Sequence, residues 1–351
     1  MGGCTSTEKP WSNQVSIGDP YAQLTDTEVV ELKAAVRQLE SRNLISARTS
    51  FASLTSRAQG DIAVAIWQQE SRLAWAERRA SLIPGITDAA ESNRVELREY
   101  YREEAKSRPS SLAYFLAARI EDDFLAAQLL LKEALEIDPQ MAWAHYALAH
   151  LAANSGDWVT ARSELKRTFE LQADHLPSIR LYGWLQAEAG KTESAILALE
   201  SWLERSQEDL LATDSIRNQV KLDLALAYTS NGDEGDALKL LKSLKLDGAD
   251  EARRLTALAV IEQGRENYPA ARRALQAAQV VEPESLLPFV QEALLCEFWL
   301  ADVDRARELW SHVIMLASDS EELSAGMQGF RAEFHLQRLN REHPRSLEMT
   351  E

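Results

Sequence analysis

Apolar residues recur every three or four positions through most of the chain, and the stretch from Ala142 to His175 shows the arrangement that the rest repeats. It reads as two amphipathic helices joined by a Ser155-Gly156-Asp157 turn, because helical spacing holds on either side and breaks between them. In the second helix Ala161 is followed four residues later by Leu165, a small-then-large pair on one face. The pair recurs as Ala127…Leu131, Ala195…Leu199, Ala237…Leu241, Ala271…Leu275 and Ala306…Trp310, with a degenerate copy at Ala47…Phe51. From Ala127 onward the alanines are spaced by 34, 34, 42, 34 and 35 residues.

Two helices per period predict an all-α solenoid, since one hairpin cannot bury both of its apolar faces and must stack on its neighbours. The pattern resembles the tetratricopeptide repeat family. Its A-x₃-F…P ending is approached where Ala127 leads to Pro139 and Ala271 to Pro283. Its L-G-x₂-Y segment is approached by Leu148-Ala149…Ala152, Tyr182-Gly183…Gln186 and Leu224-Ala225…Tyr228, while His145, Ile179 and Leu255 replace the family's tryptophan. The resemblance is close from Ser107 to Ser318 and loose from Asp26 to Leu82. It implies a tetratricopeptide-like helical-hairpin solenoid, a right-handed superhelix whose first helices line a concave groove that holds a protein or peptide.

Along the chain, residues 1–24 are rich in Gly, Ser, Thr, Asn and Pro and read as a flexible tether. Residues 25–106 read as degenerate helical repeats. They open on a Thr25-x-x-Glu28 capping box and include a long helix carrying Trp67 and Trp75 that Pro84-Gly85 stops. Asp88-x-x-Glu91 opens the next, densely charged helix. Three repeats follow over 107–207 and three more over 208–318, after an eight-residue insertion that is expected to lengthen a helix or a loop and bend the superhelix. Gly156, Gly190 and Gly232 each lie five residues before a pattern alanine, where a left-handed residue would end the first helix of a hairpin. Residues 319–351 read as a capping helix and tail, with Leu323, Met327, Phe330, Phe334 and Leu336 inward and a polar outer side.

Charge narrows the partners. A formal net charge of −17 and a pI near 4.9 argue against nucleic acid, whose phosphates need clustered Lys and Arg. No apolar run is long enough to span a bilayer. The two cysteines, Cys4 and Cys296, make no disulfide framework, and the apolar surroundings of Cys296 predict a small buried hydrophobe.

Catalytic chemistry is not predicted. Gly190-Lys191-Thr192 resembles the end of a phosphate loop, but Leu185 stands where that loop needs its first glycine, and the triplet falls in a repeat turn. His145 and His150 are five apart, no Cys/His cluster exists, and the acidic residues are scattered, so no metal or cofactor is expected.

Two features carry function. Met1-Gly2-Gly3-Cys4-Thr5-Ser6 resembles the end of a bacterial lipoprotein signal, with Cys4 as the lipid anchor; a start assigned too late would account for the missing basic and apolar segments. The same residues match a myristoylation pattern, and an unmodified tail is the third reading. On the helix from Ala142, Trp143, Tyr146, His150 and Asn154 share one stripe, and adding the 34-residue period to Tyr146 and His150 gives Arg180 and Trp184. With Arg119 one repeat earlier, these residues form a candidate aromatic and basic partner-binding patch in the groove, suited to a segment bearing carboxylates. The alternative is that the aromatics only pack against the next hairpin. The expected function is a non-enzymatic scaffold, either lipid-anchored in a bacterial envelope as an assembly factor or a soluble cytoplasmic adaptor, with membrane contact only through Cys4.

Overall fold

The computed structural model describes residues 10–11, 21–81, 89–207, 209–318 and 323–343, and among these every regular element is an α-helix. The chain divides into two compact units, residues 1–213 and 214–351. Unit 1 contains α1 (Asp26–Glu40), α2 (Leu44–Arg57), α3 (Ile62–Ser81), α4 (Ala89–Ser107), α5 (Ser111–Arg119), α6 (Phe124–Ile137), α7 (Ala142–Asn154), α8 (Trp158–Leu171), α9 (Leu176–Glu188) and α10 (Thr192–Arg205). Unit 2 contains α11 (Asp214–Asn231), α12 (Glu234–Ser243), α13 (Gly248–Gly264), α14 (Tyr268–Val281), α15 (Leu286–Phe298), α16 (Val303–Ser318) and α17 (Leu323–Glu342). Within each unit successive helices pair as hairpins and each hairpin packs on the next. Cys4, Pro84-Gly85 and Asp88 lie outside the described residues.

Six of the described hairpin turns place a left-handed residue at one repeat position. Gly156, Gly190 and Gly232 adopt φ of +77°, +70° and +86°, the left-handed region where a Cβ is penalised. In the first of these turns the Asp157 N–H then reaches the Ala152 carbonyl at 2.9 Å, satisfying a helix-end carbonyl. Arg42, Glu266 and Ala301, also five residues before a pattern alanine, take φ of 61°, 61° and 51° without being glycine. The backbone therefore keeps its turn where the sequence has lost the residue that favours it. Some helix starts are held by acids and hydroxyls: Asp123 accepts from the Ala126 N–H, Asp157 from the Thr160 N–H, and Thr25 and Glu28 form a reciprocal capping box.

The small-then-large pairs form the spine of the core. Ala127, Ala161, Ala195, Ala237, Ala271 and Ala306 are buried, and so are Leu131, Leu165, Leu199, Leu241, Leu275 and Trp310 four residues on. The small residues let two helices approach, and the large ones fill the space beyond. At Gly183 the approach is tight, because a Cβ there would lie 3.2 Å from Leu199. In unit 1 one apolar cluster joins α1–α3 through Leu32, Val36, Phe51, Val64 and Trp67. A second joins α3, α5, α6 and α7 through Ile62, Ile66, Phe115, Met141 and Trp143.

The longer step between Ala195 and Ala237 is divided between two places. Connections between hairpins are otherwise four residues long at 138–141, 172–175 and 282–285, whereas α10 ends at Arg205 and α11 begins at Asp214. In addition, α11 has 18 residues against 13 in α7, α9 and α15.

The stretch read as a flexible tether is docked wherever it is described. Trp11 is buried against Phe169 and Tyr182, with ring centroids 6.0 and 5.3 Å away. The Tyr21 hydroxyl donates to Asp138 at 2.6 Å, and the Tyr21 carbonyl accepts from the Ile62 N–H at 2.9 Å. Composition suggested a solvated segment, but one indole and one phenol find seats on the repeats, and burial of their large apolar area outweighs the polar residues around them.

The terminal helix corrects a second expectation. On α17, Met327, Phe330 and Phe334 are 69%, 76% and 61% exposed, so they point away from the core instead of into it. Ala325, Gly329, Ala332, His335 and Leu339 are buried in their place, with Leu336 half-buried, while the side chain of Leu323 lies outside the described set. The small face wins because it allows close approach: a Cβ at Gly329 would stand 2.9 Å from that of Ala317. Polar bonds fix the choice. The His335 ring stacks on Trp310 at 4.6 Å and bonds Glu297 at 3.0 Å, and the Arg307 guanidinium donates to the Leu339 and His343 carbonyls. Unit 2 also buries Glu292 completely among Arg272, Gln276, Gln279 and Arg305, which satisfy its carboxylate from α14 and α16. Cys296 is buried, and burial pushes its thiol up to about 11.

Candidate functional site

The first helices of successive hairpins in unit 1, α3, α5, α7 and α9, contact one another in order. A residue one period away therefore sits on the next helix at the same level, which brings Tyr146 and His150 of α7 towards Arg180 and Trp184 of α9. Tyr146 is half-buried; burial raises its phenol pKa, and the fields of Arg180 and Arg119 oppose that rise. His150 stands 6.2 Å from Tyr146 between ring centroids, and its Nδ1 and the Asn154 amide nitrogen lie 3.3 Å apart. Desolvation lowers its pKa, with a further contribution from Arg180. Trp184 is 38% exposed and Trp158, at the start of α8, 40%; their rings lie 5.9 Å apart and tilted.

Not every candidate belongs to this surface. Trp143 is 7% exposed and packs against Phe115, Tyr146 and His175, so it is core. Its place on the same stripe as Tyr146 is right, but it starts the helix, where the next hairpin's connection covers it with His175. Arg119 is engaged on its own side, donating to Gln69 at 2.5 Å and to Glu70 at 2.8 Å across to α3. Asn154 is exposed at the end of α7. His145, five residues before His150, turns instead to α8, where its Nδ1 lies 2.7 Å from Glu164.

Three features were missed. His175 carried no periodic signal, since it lies in the connection before α9. Trp158 lies outside the small-then-large pattern and could have been noticed only as a large aromatic directly after a helix cap. Arg72 stacks over Tyr100 and Tyr101 at 4.6 and 5.5 Å, joining α3 to α4. Among the described residues, no group of three or more His, Cys, Asp or Glu side chains could hold a metal, and no helix is long and apolar enough to cross a membrane.

Residues 118–181, from the end of α5 into α9, match the family described as Tetratricopeptide repeat. No curated protein matches the chain. Among solved structures, a chain of the APC/C hetero-tetramer Cut9–Hcn1 is similar at 17% identity and a TM-score of 0.50, over 82% of this chain and 59% of that one. The chain thus spans about three fifths of that relative's length. Pseudomonas aeruginosa PilF is similar at 22% identity and a TM-score of 0.47, over 71% of this chain and 99% of its own. YrrB, described as a tetratricopeptide repeat protein with an unusual peptide-binding site, is similar at 14% identity and a TM-score of 0.42, over 56% and 98%.

Proposed function

We propose that this tetratricopeptide repeat solenoid, whose fold supports a protein-interaction scaffold, holds a carboxylate-bearing protein segment against Tyr146, His150, Arg180 and Trp184. The observation that carries the reading is the pair of half-open indoles, Trp158 and Trp184, together with a tyrosine and histidine on α7 that feel Arg180 of α9. Indole and guanidinium groups are the side chains that binding surfaces favour, one for area and the other for bidentate pairing with carboxylate. The test is calorimetric titration of wild-type protein with peptides of alternating glutamate and aromatic residues, and with their glutamine counterparts. Glutamate-dependent binding that weakens at least tenfold in Trp184→Ala and falls with added salt supports the reading; equal binding of the glutamine peptides overturns it.

The N-terminal sequence supports a second element, acylation of Cys4, with an envelope location. Metabolic labelling with palmitate in a bacterial host tests it: label retained by wild type and absent from Cys4→Ser supports the anchor, and unlabelled wild type ends it.

A further inference from the structure

The segment between α10 and α11 returns to the beginning of unit 1. The Leu210 carbonyl accepts a hydrogen bond from the Trp67 indole N–H at 2.9 Å, across 143 residues of sequence. Leu210 packs on the α1–α3 cluster, and Leu211 touches both that cluster and the α3–α7 cluster, filling the join between them. The segment is a turn, in which the Asp209 carboxylate accepts from the Leu211 N–H at 2.7 Å and Ala212 is buried.

Repeat geometry does not call for this excursion, because four residues suffice between the other regular hairpins. Leu210 and Leu211 are half-buried, unlike the fully buried leucines of the pattern. Its recognition rests on a main-chain carbonyl, which any residue offers, together with two apolar side chains set side by side by an acid-anchored turn. That is the chemistry by which a short motif docks on a preformed groove.

We propose that the apolar join between the α1–α3 and α3–α7 clusters is a docking site for a turn carrying an acidic residue followed by two leucines. In the free protein Asp209-Leu210-Leu211 occupies the site, and a partner's motif of the same chemistry displaces it. Occupancy by the chain's own segment lowers the apparent affinity for a partner by the fraction of time the site is open, which makes binding conditional on partner abundance. The site shares the α3–α7 cluster with Tyr146 of the arginine and tryptophan face proposed above, and its test uses a different peptide.

A fluorescein-labelled peptide of residues 206–214 is titrated into full-length wild type and into the Leu210→Ser, Leu211→Ser double variant, with anisotropy as the readout. Binding at least tenfold tighter to the double variant, and none by a peptide with both leucines changed to serine, supports the proposal. Failure of the peptide to bind a double variant that melts as wild type does overturns it. If the double variant loses its cooperative melt, hydrogen exchange at residues 209–213 of wild type is followed while unlabelled peptide is added. Faster exchange then supports displacement, and unchanged exchange at saturating peptide overturns it.

Discussion

The imidazole of His175 meets the indole of Trp143 edge-on, 4.4 Å between ring centroids at an interplanar angle of 80°. Its Nδ1 shares a 2.7 Å hydrogen bond with Ser178, its Nε2 has no partner in the protein, and burial holds its pKa at about 3. The folded state therefore keeps this ring neutral while the unfolded chain takes up a proton below about pH 6.5. Stability from this group is complete above that value and falls by about 1.4 kcal/mol per pH unit on the way down towards 3. Melting temperature should drop more steeply between pH 7 and 4.5 in wild type than in His175→Asn, which can still cap α9. Parallel curves would show that the site admits a proton without penalty.

The two tryptophans that the sequence placed on one surface should behave oppositely. Trp143→Ala empties a closed core site and is expected to cost about 3–5 kcal/mol in denaturant unfolding. Trp184→Ala removes a ring that is 38% exposed and should cost less than about 2 kcal/mol, with the midpoint little changed. A large loss at Trp184 would make it a packing residue and remove the main support for the binding face.

At the shared turn position, Glu266→Gly and Ala301→Gly should each stabilise unit 2 by up to about 1 kcal/mol, because both residues now hold a left-handed conformation that penalises a Cβ. Gly190→Ala should lose a similar amount from unit 1. Chemical denaturation of the three variants checks the signs; destabilisation by both glycines would mean that these turns relax to another conformation.

Two glycines one turn apart on α17 offer a contrast. A Cβ added at Gly326 would meet nothing within 4 Å, so Gly326→Ala should gain up to about 1 kcal/mol of helix propensity. Gly329 abuts Ala317, and Gly329→Ala should lose about 1–3 kcal/mol by forcing α16 and α17 apart. Equal effects would show that the terminal helix is not seated through its small face.

The hairpin architecture was legible because it is periodic: Ala161 and Leu165 carry the same burden as Ala195 and Leu199, and repetition turned a weak local pattern into a strong one. The site was legible only by projection. Adding one period to Tyr146 and His150 found Arg180 and Trp184, yet the same step could not reveal that His175 lies against Trp143, since connections carry no period. The reversal of α17 has a similar origin. Met327, Phe330 and Phe334 form the more hydrophobic stripe, but the preceding helix accepts only a small face, and that constraint belongs to Ala317 and Trp310. Trp67 and Leu210 left no local trace of their meeting, because neither neighbourhood departs from helix and polar turn.

That last contact changes the statistical mechanics of unit 1. A stack of repeats in which each touches only its neighbours unravels from its ends, one hairpin at a time, and its folding is dominated by local closures. The hydrogen bond from Trp67 to Leu210 spans 143 residues, so the first hairpins cannot fray without releasing the segment that follows the last. An open chain of coupled elements becomes a ring in the energetic sense, with two free ends replaced by a single long-range closure. Its loss of structure on heating should correspondingly be collective, and closing the ring should be its slowest folding event.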